Sequence, residues 1–175
     1  MFLNFAGTKI LPSLPAASRP LVTQATVFCR LDYCNSLYLG SPAHVLQRLQ
    51  RVQSAAAKTA LGLPSCASTS GALAKLCWLP ILQRVHFKSL CTVYKAINTG
   101  PSYLQSTFVR YAPVRSLRSS TANLLKIPEF RKCRTGGRSF SVQAANLWNT
   151  LPLAIKNAPT LLYFQKLLKP YLFPN

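Results

Sequence analysis

The stretch Ile81–Asn98 most narrows what this chain can become. It follows Cys77-Trp78-Leu79-Pro80 and is closed by Gly100-Pro101. Proline is accepted in a first helical turn, where its missing N–H would have had no partner, and Gly-Pro stops a helix. The spacing predicts a helix of about five turns. At about 100° per residue, Leu82, His86, Phe87, Leu90, Val93, Tyr94 and Ile97 fall on one broad apolar side, with Arg84, Lys88 and Lys95 together opposite. A solvated helix face usually mixes both signs of charge. This one has cations alone, and no carboxylate occurs between Asp32 and Glu129.

The whole chain shares that imbalance. Its 175 residues carry 21 Lys/Arg against 2 Asp/Glu, a formal net charge of +19. Yet hydrophobic residues make up 49%, so there is apolar material for a core and the composition is not that of a disordered chain. A compact body of this charge repels itself and calls for a polyanion, most simply RNA or DNA bound through its phosphates. A carboxylate acid–base pair or a two-metal site needs at least two positioned acids, and Asp32 and Glu129 are 97 positions apart with neither in a recognisable motif. No phosphate-binding glycine loop, dinucleotide fingerprint or nucleophile elbow is present. The expected catalytic residues, metal ligands and cofactors are therefore none, and no small-molecule substrate is expected.

The cysteines Cys29, Cys34, Cys66, Cys77, Cys91 and Cys133 form no C-x-x-C pair, and His44 and His86 lack zinc-finger spacing. They read as buried free thiols in a reducing compartment. The longest uncharged runs, Thr59–Ala74 and Ser139–Ile155, contain Gly, Pro, Ser or Asn and are too short to span a membrane. Lys9, Pro12 and Pro15 break the apolar start of the chain, so a secretory signal is not expected. The expected location is intracellular, nuclear or cytoplasmic, with mitochondrial import a lesser alternative.

Taken in order, residues 1–19 form a low-information segment, 20–100 a helical domain and 101–175 a basic segment ending in a helix. Pro20–Arg30 has short helical spacing, and Leu31, Cys34, Leu37 and Tyr38 suggest a second buried turn. Ser41-Pro42 reads as an N-cap followed by a first-turn proline. Val45, Leu49, Val52, Ala56 and Ala60 then step by four and three until Gly62 and Pro64 end the pattern. Arg51 and Lys58 lie away from that seam with Arg48 at its flank, while Ala55–Ala57 would let another helix come close. Ser65–Gly71 is a loop, Ala72–Leu79 a short helical turn and Trp78 a core anchor.

Beyond Gly100 the fold is predicted as mainly α with a minor β-hairpin or irregular basic segment near residues 122–142. Leu124–Ile127 has strand character. Eight cations lie from Arg110 to Arg138 (Arg110, Arg115, Arg118, Lys126, Arg131, Lys132, Arg134, Arg138), six of them arginine. Guanidinium forks bind phosphate oxygens bidentately and the interleaved hydroxyls add neutral donors. Ser139–Asn149 returns to helical spacing through Phe140, Ala144, Leu147 and Trp148. Pro159 opens a last helix in which Leu161, Phe164, Leu167, Leu168 and Tyr171 would dock while Lys166 and Lys169 stay wet. Apolar faces left unpaired would suit a helical protein partner. The candidate nucleic-acid contacts are Arg48, Arg51, Lys58, Arg84, Lys88, Lys95, Arg110, Arg115, Arg118, Arg131, Lys132, Arg134 and Arg138.

Eight short motifs in consistent order, RLDYCNSLYLG (Arg30–Gly40), LQRLQRVQSAAAK (Leu46–Lys58), WLP (Trp78–Pro80), FKSLCTVYKAI (Phe87–Ile97), PSYL (Pro101–Leu104), RSLRSS (Arg115–Ser120), GRSFS (Gly137–Ser141) and LWNTLP (Leu147–Pro152), carry a resemblance. Together with FQKLLKPYLF (Phe164–Phe173) they resemble the region C-terminal to the palm in reverse transcriptases of non-LTR retrotransposons, of the LINE type and chicken-repeat kind. The resemblance implies a thumb and post-palm segment that grips primer–template beside an RNA-directed DNA polymerase site located elsewhere. The family's paired palm aspartates and its endonuclease are absent here, and Asp32 lies in a motif that is not the metal motif. The loop between Lys58 and Trp78 is short for the family, Cys77 replaces its usual His, and its acids near Tyr103–Phe108 are missing. The reading is a catalytically inactive reverse transcriptase fragment with non-specific nucleic-acid binding. Its rival is a non-functional, poorly folded translation product of a transposon relic.

Overall fold

The computed structural model describes residues 13–112, 122–129 and 136–173. The described chain is mainly helical. In order come α1 (Arg19–Thr23), a π-helical turn (Gln24–Phe28), α2 (Cys29–Asp32), a 3-10 turn (Asn35–Tyr38), α3 (Ala43–Leu61), α4 (Thr69–Lys75), α5 (Ile81–Asn98) and α6 (Ser102–Thr107). After the basic segment come a 3-10 turn (Gly136–Arg138), α7 (Phe140–Asn149), α8 (Leu153–Lys156) and α9 (Leu161–Leu172). They form two compact units. The first ends at Asn35 and resumes over Pro42–Leu82, and the second takes Ser36–Ser41 and everything from Gln83.

In the first unit α1 and α4 both pack on α3. The buried cluster holds Val27, Phe28, Ala57, Ala60, Ala72, Leu73 and Trp78. Ala57 and Ala60 leave room for this close packing, whereas in the expected run Ala55–Ala57 only Ala57 is buried, Ala56 being half-buried and Ala55 exposed. Trp78 is a core anchor, its ring meeting Phe28 edge-on at 4.4 Å. Gly62, at φ +65°, ends α3 in the left-handed conformation, and its N–H reaches back to Thr59. The helix begins one residue later than Ser41-Pro42 suggests, with Pro42 in the cap position.

The buried side of α3 is turned from the expected Val45–Ala60 seam. Gln53, Ala57 and Ala60 are its buried residues, while Val45, Leu49, Val52 and Ala56 are only half-buried. The cause is polar. Gln53 Nε2 donates to the Leu79 carbonyl at 2.8 Å, and Gln50 Oε1 accepts from the Ile81 N–H at 2.9 Å. The two glutamines also bond to each other, Gln50 Nε2 to Gln53 Oε1 at 3.1 Å. Pro80 has no N–H, so the backbone groups on either side of it lack ordinary helical partners. Two glutamines of α3 supply them.

The chain leaves helix at Tyr33, where ψ is 120°, and Cys34 follows in the left-handed region at φ +49°. The expected second buried turn is accordingly not formed as drawn: Leu37 and Cys34 are exposed, and Asn35 and Leu39 are the buried residues. The cysteine expectation also needs correcting. Cys29, Cys34, Cys66 and Cys77 are exposed free thiols, Cys91 is buried, and Cys133 lies outside the described residues.

In the second unit α5 buries more of its circumference than an amphipathic surface helix. Val85, Ser89, Leu90, Cys91, Val93, Tyr94 and Ala96 are buried, while His86, Phe87 and Ile97 are half-buried. Leu82, expected on the apolar side, is 44% exposed. Tyr94 stacks on Phe164 at 4.6 Å and its hydroxyl donates to the Ala158 carbonyl at 2.7 Å. Trp148 also stacks on Phe164, with 5.9 Å between the ring centres. Helix α9 docks through Phe164 and Leu168, but Tyr171 is 49% exposed rather than docked. Thr160 caps α9, its hydroxyl oxygen accepting from the Tyr163 N–H.

The strand expected at Leu124–Ile127 reduces to a single antiparallel bridge between Arg110 and Leu125. Tyr111 N–H donates to the Leu124 carbonyl and Lys126 N–H to the Val109 carbonyl, each at 2.8 Å. Asn149 does what a further strand would do. Its Oδ1 accepts from the Leu125 N–H at 2.9 Å and its Nδ2 donates to the Leu125 carbonyl at 3.0 Å. Trp148 Nε1 donates to the Asn123 carbonyl at 3.1 Å. The Leu147–Pro152 motif is thus the clamp on a short ribbon. Gly40, at φ +75°, sits against Gln143, where an added Cβ would come within 3.0 Å of the side chain.

Candidate nucleic-acid interface

The exposed face of α3 is built by subtraction. With Gln53, Ala57 and Ala60 committed inward, His44, Gln47, Arg48, Arg51 and Ala55 are the exposed residues on the other side. Nothing on that face is acidic, and Asp32 is the one carboxylate in the first unit's sequence. Arg48 and Arg51, three residues apart on one helix, therefore present guanidinium groups to solvent side by side. Lys58 is less available, because it is half-buried and its Nζ donates to the Ser65 carbonyl, closing the loop after α3.

The second unit carries the other described candidates. On α5, Lys95 is exposed, whereas Arg84 and Lys88 are half-buried. Their helical angles agree within about 40°, but buried Cys91 lies on the same side and accepts from Gln165 of α9 at 3.8 Å, so of these three cations Lys95 alone is exposed. Arg110 is exposed and donates through one guanidinium nitrogen to Asn123 Oδ1 at 3.0 Å. That bond uses one of five N–H donors and orients the rest. Arg138 is exposed at the end of its 3-10 turn, beside Ser139 at the start of α7. Arg115, Arg118, Arg131, Lys132 and Arg134 lie outside the described residues. The candidates thus separate into an α3 set in the first unit and an α5, ribbon and Arg138 set in the second.

Three further lysines of the second unit face solvent. Lys126 is exposed on the ribbon, and Lys166 and Lys169 are exposed on α9. A fourth, Lys156, is only 6% exposed. Its Nζ donates to the Asn149 carbonyl at 3.1 Å, at the C-terminal end of α7 where helix carbonyls favour a cation. Burial nonetheless lowers its pKa from the ordinary lysine value. No sequence signal separates this lysine from its wet neighbours, since it sits in a four-residue helix too short to show a period.

Beside the ribbon lies a cleft of about 530 Å³ whose walls include Thr107, Val109, Lys126 and Glu129. Among the described residues no group of His, Cys, Asp and Glu side chains could hold a metal ion. No helix among them is long and apolar enough to cross a membrane. Comparison of the chain with protein-family models, with curated proteins and with solved structures finds no match.

Proposed function

We propose that the chain is a catalytically inactive fragment related to the thumb region of a non-LTR reverse transcriptase, and that it binds RNA or DNA non-specifically through phosphate contacts. The observation that carries the binding reading is the acid-free exposed face of α3, where Arg48 and Arg51 stand beside His44 with no carboxylate to neutralise them. Such a face gains little from self-association and gains counterion-release entropy against a phosphate backbone. The packing supports a folded carrier for these cations rather than a relic chain with inherited charge. Two aromatic-anchored cores and glutamine- and asparagine-satisfied backbone groups are features of a specified fold. The ancestry rests on the motif resemblance, and Gln50, Gln53, Trp148, Asn149 and Gly40 have structural work to do within those motifs.

The test is charge removal at solvent-exposed positions. The pair Arg48→Gln and Arg51→Gln should weaken duplex binding and make the log–log salt slope shallower by about 2, as two lost phosphate contacts require. An unchanged slope with an unchanged melting temperature would refute a role for α3.

A further inference from the structure

The cleft beside the ribbon has chemistry that phosphate contacts do not use. Its walls include Ser106, Thr107, Val109, Lys126, Pro128 and Glu129. Ser106 Oγ and Thr107 Oγ1 both donate to the Tyr103 carbonyl, at 2.9 and 3.0 Å. Their protons are committed to their own helix, so they offer lone pairs to a ligand. Glu129 is one of two acids in a chain of 21 Lys/Arg, and it is exposed in this wall. One side of the cleft therefore accepts hydrogen bonds and disfavours phosphate. Among the described residues that line the cleft, Lys126 is the cation, on the ribbon that Asn149 braces.

A ligand suited to these walls is flat, rich in donors along one edge and attached to an anion. Val109 and Pro128 offer apolar contact to its face. Among nucleobases, guanine alone presents an N1–H and an N2 amino group side by side, matching the two oxygens of a carboxylate. Adenine and uracil offer no such pair, and cytosine offers one amino group. In a duplex the guanine edge is occupied by its partner, so only an unpaired base can present it. We propose that this cleft holds one unpaired guanine of a single strand, its N1–H and N2 amino group donating to Glu129 and an adjoining phosphate lying on Lys126.

This inference rests on the nucleic-acid reading above, and its test separates the two. Fluorescence anisotropy at one fixed salt concentration would compare a uridine heptamer with the same oligomer carrying one central guanosine. The guanosine oligomer should bind roughly tenfold tighter, the discrimination of one bidentate base contact. Glu129→Ala should abolish that preference while leaving uridine binding equal or slightly tighter, because an anion leaves a cationic surface. Lys126→Ala should weaken both oligomers by the same factor, and inosine, which lacks the N2 amino group, should bind between uridine and guanosine. Equal binding of both oligomers to the unaltered protein, or a preference that survives Glu129→Ala, would overturn the guanine site and leave phosphate binding standing. Absence of binding to either oligomer would overturn both. A circular-dichroism melt that is unchanged by Glu129→Ala confirms that the comparison is between folded proteins.

Discussion

Replacing Gln53 by leucine tests how the organising turn is held. Gln53 is fully buried, and its Nε2 is the donor to the Leu79 carbonyl. Leucine fills nearly the same volume, so no large cavity opens, and the change isolates the polar term. The Leu79 carbonyl then loses its partner beside a proline that cannot help. An orphaned buried acceptor costs about 1–3 kcal/mol. We expect about 2 kcal/mol, which for a protein of this size corresponds to about 4–8 °C in melting temperature. Gln53→Glu should cost more at neutral pH, since a carboxylate cannot donate to Leu79 and its charge would be buried, and should recover in part at acid pH. Gln50→Ala should cost less, about 1 kcal/mol, because half-buried Gln50 leaves the Ile81 N–H within reach of water. Urea denaturation with a double-mutant cycle over Gln50 and Gln53 measures these terms and their coupling. A Gln53→Leu protein as stable as the original would refute the argument that α3 satisfies the Trp78–Pro80 turn.

Other consequences are as direct. Asn149→Ala should cost about 2 kcal/mol from two lost backbone partners at Leu125, with loss of amide-exchange protection at Leu125 and Lys126 before any other site; full protection there would contradict the clamp. Burial lowers the His86 pKa below its model-peptide value of 6.5. The unfolded chain therefore binds more protons between the folded pKa and 6.5, so stability should rise with pH across that window and be least below it. Urea midpoints that His86→Gln makes pH-independent there would confirm the assignment, and an unchanged slope would exclude it. Burial raises the Cys91 thiol pKa. Native-state titration with a thiol reagent should modify Cys29, Cys34, Cys66 and Cys77 quickly and Cys91 only on unfolding; rapid labelling of Cys91 would contradict its packing.

The elements were legible where apolar spacing and stop signals agreed. Gly62 ends α3 and the Pro80 and Gly100 signals bracket α5, because glycine in the left-handed conformation and proline without an N–H act locally. Which side of a helix is buried was less legible. Counting apolar residues points α3 at Val52 and Ala56, but a buried Gln53 turns the helix toward Leu79, and a glutamine on an amphipathic pattern looks like a wet residue until its partner is known. The same holds for α5, where Ser89 is buried and Leu82 exposed. The ribbon was half-legible. Strand propensity marks Leu124–Ile127, but the pairing that holds Leu125 comes from an asparagine side chain, which carries no periodic signal. For the candidate site, charge identified Arg48, Arg51 and Lys95 as exposed cations. It could not show that Lys58 is tied to Ser65, or that Lys156 is buried under the end of α7. Charge is a property of composition, whereas availability depends on which carbonyl lies within reach.

The salt dependence of duplex affinity most directly tests the proposed binding of this cationic, helix-rich chain to the nucleic-acid backbone. With about six phosphates engaged, log K should fall linearly against log salt with a slope near −5, alike for unrelated duplex sequences. A slope near zero, or affinity that varies strongly with duplex sequence, would contradict it.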